Sequence, residues 1–136
     1  MKKARNIILC GLVMFIILIA VLWVSIAYGT EYKKTICDIS ISSDEKFKLT
    51  LIAVGEPEWP LGVANGRLIL EENEKKISQT DFELRNNGGS VNSDCWKVTW
   101  YDEYVEVILS GSEQFDEQVI LYFNGEKNIK QLTDET

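Results

Sequence analysis

Residues 7 to 28 read Ile-Ile-Leu-Cys-Gly-Leu-Val-Met-Phe-Ile-Ile-Leu-Ile-Ala-Val-Leu-Trp-Val-Ser-Ile-Ala-Tyr, an apolar run without a single charge. As a helix rising about 1.5 Å per residue, these 22 residues reach about 33 Å, enough for a hydrocarbon core of about 30 Å. The run therefore predicts one N-terminal transmembrane helix, with the lipid bilayer as partner of residues 7–28. Lys2, Lys3 and Arg5 precede it and Lys33 and Lys34 follow it, with Glu31 between. That basic excess places the short tail 1–6 in the cytoplasm and the rest of the chain outside, in a single-pass cell-membrane topology. Trp23 and Tyr28 fall where outer headgroups enrich amphipathic rings.

The same run admits a second reading. Ser25-Ile26-Ala27 is a small-x-small triplet, so cleavage after Ala27 would release a secreted domain, although the run exceeds the 7 to 15 residues usual for a signal peptide. Cys10 follows Leu9 and precedes most of the run, which suits a small apolar helix residue rather than a lipidation site.

After a short tether, 29–34, the chain leaves one small domain, 35–125, and a polar tail, 126–136. All 21 acids and 11 of the 14 bases lie beyond residue 28, a net charge of −10. Such a surface repels nucleic acid and anionic lipid at long range. There is no histidine, which removes the commonest general base and zinc ligand.

Periodicity in this domain is two. Cys37, Ile39 and Ile41 alternate with Asp38 and Ser40. Phe47, Leu49, Leu51 and Ala53 alternate with Lys48, Thr50 and Ile52. The pattern recurs around Leu68 and Leu70, Phe82 and Leu84, Trp96 to Trp100, Val105 to Leu109 and Val119 to Phe123. These predict seven strands, near 35–42, 46–54, 66–72, 76–84, 95–101, 104–110 and 117–124, each with one apolar face, as antiparallel sheets require. Asn73-Glu74, Asn86-Asn87-Gly88-Gly89, Asp102-Glu103 and Asn124-Gly125 supply turns. The fold class expected is all-β, an antiparallel β-sandwich of about seven strands, Ig-like or C2-like.

Few residues carry chemistry. In Gly55-Glu56-Pro57-Glu58-Trp59-Pro60, two prolines stiffen a loop bearing Glu56, Glu58 and Trp59, the candidates for partner binding. Its plainer role is Trp59 packing over one end of the sandwich. Glu113, Asp116 and Glu117 are the best calcium candidates, yet the Asp-x-Asp-x-Asp-Gly spacing is missing. Cys37 and Cys95 are candidates for a disulfide that closes a loop of 59 residues, although Cys95 falls out of phase with Trp96. Carboxylate pairs keep a hydrolase open as an alternative. No catalytic or cofactor-binding residue is expected, and no cofactor.

Gly55-Glu56-Pro57-Glu58-Trp59-Pro60 with Arg67-Leu68-Ile69-Leu70, and Trp96-Lys97-Val98-Thr99-Trp100-Tyr101 with Glu113-Gln114-Phe115-Asp116-Glu117-Gln118, resemble stretches of small single-span proteins of Gram-positive bacteria. The likeness covers residues 47–124. It implies membrane attachment and an extracytoplasmic β domain without assigned activity, and it transfers no site residues. The expectation is a membrane-anchored, non-enzymatic binding or structural module whose partner is a protein or envelope component.

Overall fold

The computed structural model describes residues 1–57, 60 and 62–133. Helix α1 spans Lys2–Ala27 and is long and apolar enough to cross a membrane. None of its residues is buried against the rest of the chain. Ser25, the polar residue in its second half, turns its hydroxyl back to the Val21 carbonyl at 2.9 Å. That bond removes an unpaired donor from an apolar surface.

The expected tether is not extended chain. Helical winding continues as a π-helical turn, Tyr28–Tyr32, closed by Lys33 N–H on the Tyr28 carbonyl at 2.9 Å. This turn docks on the domain. Gly55 N–H donates to the Lys33 carbonyl at 2.7 Å, and Glu56 N–H donates to the Thr30 carbonyl at 2.6 Å. Gly55 has φ +68°, and a Cβ there would strike the Thr30 carbonyl oxygen and the Glu31 backbone. Only glycine meets both demands at this joint.

Two antiparallel four-stranded sheets follow. The first runs β1 (Lys34–Ile41), β2 (Phe47–Val54), β3 (Ala64–Glu72) and β4 (Lys75–Leu84), paired in that order. A single 3₁₀ turn, Ser93–Cys95, leads into the second: β5 (Trp96–Trp100), β6 (Tyr104–Leu109), β7 (Glu117–Tyr122) and β8 (Lys127–Gln131). Each sheet is a plain meander, without the strand exchange between sheets of an Ig-like topology. Among the described residues there are eight strands rather than the seven expected. The extra one is β8, inside the stretch read as a polar tail, 126–136.

The sheets pack face to face. Leu49, Leu51, Leu68 and Leu70 of the first meet Val105, Val107, Leu109, Val119 and Leu121 of the second, and all are essentially inaccessible to solvent. Burying each such side chain contributes about 1.5–3 kcal/mol, which makes this layer the main source of stability. Phe47 stacks on Phe123 with ring centroids 3.8 Å apart, joining the sheets at one end. The β3–β4 hairpin places Asn73 at φ +48° and Glu74 at φ +67°. A two-residue turn with both φ values positive matches the twist of its strands, and asparagine tolerates the first position well.

Strand β1 departs from expectation. Its register against β2 slips between Ile36, opposite Ile52, and Asp38, opposite Leu51, so Cys37 is an extra residue in a bulge. Beyond the bulge the phase is inverted. Asp38 and Ser40 face the second sheet, where Trp96 Nε1 donates to Asp38 Oδ2 and Trp100 Nε1 to Ser40 Oγ, both at 2.9 Å. Ile39 and Ile41 point outward. The inward face expected for Cys37, Ile39 and Ile41 is thus correct for Cys37 alone. Two half-buried indoles need acceptors, and an apolar β1 face would leave both N–H groups unpaired.

Candidate functional site

Strand direction alternates from the helix joint outward, so the molecule has two distinct ends. The loops after β2, β4 and β6 share the end that carries the docked turn after α1. The hairpins after β1, β3, β5 and β7 share the other.

At the helix end the sheets part into an open cleft of about 1140 Å³. Val54, Val63 and Phe82 line it with apolar surface, and Arg85, Glu113 and Glu117 supply charge. Gly66 gives the Phe82 ring its seat, because any Cβ there would collide with the ring. The cleft wall is fixed by the β6–β7 loop. Arg85 N–H donates to Gln114 Oε1 at 2.6 Å, Glu113 N–H to the Arg85 carbonyl at 3.1 Å, and Leu132 N–H to the Asp116 carbonyl at 2.8 Å. Arg67 grips Asp81 through Nε at 2.5 Å and Nη2 at 3.1 Å. This fork holds the Asp81 carboxyl below the usual carboxylate range. A general acid needs the opposite shift.

The calcium candidates do not converge. Among the described residues no three His, Cys, Asp or Glu side chains are grouped to hold a metal ion. Glu113 and Glu117 line the cleft, while the Asp116 carbonyl serves the chain at Leu132. Glu56 is exposed at the helix joint. Glu58 and Trp59, the other candidates for partner binding, lie outside the described residues.

Aromatic side chains gather at the far end of the second sheet. Tyr101 stacks on Tyr104 at 4.6 Å between centroids, and Tyr104 leans on Tyr122 at 5.6 Å. Desolvation pushes the Tyr104 hydroxyl upward in pKa. Tyr101 covers Tyr104, and the Tyr104 and Tyr122 rings are tilted by 54°.

The most exposed apolar feature of the domain is on the first sheet. Ile36, Ile39 and Ile41 project from the outer face of β1 with 63, 47 and 56% of their surface in solvent. They border Ile52 and Thr50 of β2, their partners across the strand pair. Further along the same face come the ion pairs Lys48–Glu71 at 3.0 Å and Arg67–Asp81. Among the described residues β1 has no strand partner on its other side. A compact apolar stripe rimmed by charge is the surface pattern of a contact site. Sequence reasoning missed it by assigning Ile39 and Ile41 to the apolar face of β1. The available signal was that Asp38 and Ser40 alternate with the same period as the isoleucines.

The two outer cysteines come to the same region of the core. Cys95 is buried, and Cys37 packs against the core cluster that contains it. Both are thiols here, as is Cys10.

No protein-family model, no curated protein and no solved structure matches this chain.

Proposed function

We propose that this chain is a single-span membrane protein, with its N-terminus in the cytoplasm and its two-sheet sandwich outside. On this reading the sandwich is a non-enzymatic binding or structural module, held close to the outer leaflet, whose partner is a protein or envelope component. The observation that carries the reading is the joint. An apolar helix with no buried residue runs without a flexible linker into a turn clamped by Gly55 and Glu56. A module on such a joint works near the bilayer, and the isoleucine stripe starts two residues into the first strand after it. The likeness to single-span proteins of Gram-positive bacteria supports the envelope setting.

Release after Ala27 is the competing fate. Ala27 and Tyr28 both have right-handed helical dihedrals, so a cut between them must first unwind the turn. A carboxylate hydrolase gains no support from the cleft, where Arg67 keeps Asp81 ionised.

Alkaline carbonate washing of membranes, intact mass and protease treatment of whole cells test the proposal together. The expected result is a full-length protein retained in the pellet and shaved from outside. A mature chain beginning near Tyr28, or a domain cut only after lysis, overturns it.

A further inference from the structure

We propose that Cys37 and Cys95 are an oxidisable pair that closes into a disulfide between the two sheets. The inference concerns the domain's own covalent structure and goes beyond the reading of its anchor and partner. Two local irregularities bring these residues to one place. The bulge at Cys37 removes its side chain from the alternation of β1. The 3₁₀ turn Ser93–Cys95, capped by the Asn92 side chain on Asp94 N–H at 2.8 Å, lets Cys95 enter the core before β5 begins. The phase conflict visible in the sequence therefore disappears, because neither cysteine obeys the period of its strand.

Neighbouring contacts hold the two backbones in place. Asp38 and Trp96, each one residue beyond a cysteine, are hydrogen-bonded across the sheets at 2.9 Å. Cys37 Sγ donates to the Val91 carbonyl at 3.2 Å, and Asn86 Nδ2 approaches Cys95 Sγ at 3.8 Å. Val91 and Cys95 both belong to the core cluster against which Cys37 packs. Burial pushes the Cys37 pKa upward, and charge on neighbouring Cys95 or Asp38 would push it further.

The oxidant is a disulfide of the thiol-exchange class, such as oxidised glutathione. Cys37, the more accessible thiol, loses its proton and attacks one donor sulfur, releasing a donor thiolate. Cys95 then loses its proton, attacks the Cys37 sulfur of the mixed disulfide and expels the second donor thiolate. Two thiols of this chain become one disulfide, the donor disulfide becomes two thiols, and electrons and protons balance.

The test uses full-length protein in detergent, carrying Cys10→Ser to silence the helix thiol. Incubation with excess oxidised glutathione, followed by alkylation and peptide mapping, reads out the connectivity. The expected product has lost two hydrogens, links Cys37 to Cys95 within one chain, and melts roughly 10 °C or more above its reduced form. Cys37→Ser and Cys95→Ala each abolish the link. Because Cys95→Ala alters the core, Cys37→Ser at the more exposed thiol is the control for intact folding, judged by near-UV circular dichroism. The proposal is overturned if both thiols are still free when the oxidised protein is alkylated in denaturant, or if only links between chains form.

Discussion

Strands β1 and β2 lie side by side, and their sequences alternate almost identically, yet one turns its apolar set inward and the other outward. In β2, Leu49 and Leu51 are fully buried. In β1, Ile39 and Ile41 are about half exposed or more while Asp38 and Ser40 face the second sheet. The difference shows that hydrophobic period identifies a strand but leaves its phase open to demands from across the core. Here the demand is two indole N–H groups. A single bulge satisfies it by shifting every later residue of β1 to the opposite face.

The largest test of this contrast is truncation on either side. Leu51→Ala should cost about 3–4 kcal/mol, from lost transfer energy plus the cavity left in a closed layer. Ile39→Ala should cost less than about 1 kcal/mol, since half of its surface is already wet. Urea unfolding of the two variants checks this, and equal losses would mean that Ile39 points inward after all. Next in size is the inverted polar pair. Asp38→Ala leaves the Trp96 indole without an acceptor and should cost about 1–3 kcal/mol. A double-mutant cycle with Trp96→Phe should return a coupling of about 1 kcal/mol. Additive losses would dissolve the explanation offered for the bulge.

How far the sequence could carry the reading follows from these elements. Helix α1 was legible because an uncharged apolar run of that length is the pattern of an apolar helix long enough to cross a membrane. The seven expected strands all exist, with ends shifted by a residue or two, because each has an apolar face. Strand β8 was not legible. Lys127–Gln131 carries one apolar residue, Ile129, and pairs with β7 through the backbone alone, so its side chains hold no signal. The docked turn after α1 was equally silent, since it depends on Gly55 and Glu56, in a loop more than twenty residues away, bonding to the Lys33 and Thr30 carbonyls. Of the candidate site, Glu56 was singled out for a loop that proves to be the joint. The isoleucine stripe was hidden by the rule that β-branched residues alternate into a core.

The outer face of the first sheet sets up a second, smaller contrast, between its charged half on β3 and β4 and its apolar half on β1. Arg67 lowers the Asp81 carboxyl, so the stability this pair contributes is complete above the unfolded aspartate pKa of about 3.9 and is lost as pH falls through the still lower folded value. Asp81 is 61% exposed, so solvent screening limits the effect to about 0.5 kcal/mol. Arg67→Met should lower stability by about 0.5 kcal/mol above pH 4 and converge with the unaltered protein at lower pH, which flattens the acid limb of the stability curve. A variant with the unaltered acid limb would show that the fork does not form in solution.

The smallest effect on stability is expected where the largest effect on binding is proposed. Replacing Ile36, Ile39 and Ile41 together by threonine keeps β-branched side chains on an edge strand and removes little buried surface. The change in unfolding free energy should stay within about 1 kcal/mol. If the stripe is the contact surface of the module, crosslinking from a photoreactive residue placed at Lys48 in living cells should lose its specific product in the triple variant. The matched substitutions on the charged half, Arg67→Met with Asp81→Leu, should retain that product. A threonine variant that unfolds would return these isoleucines to the core. One that folds and still captures the same partner would move the contact to the other faces of the sandwich, leaving the stripe as an edge blunted only by the bulge at Cys37.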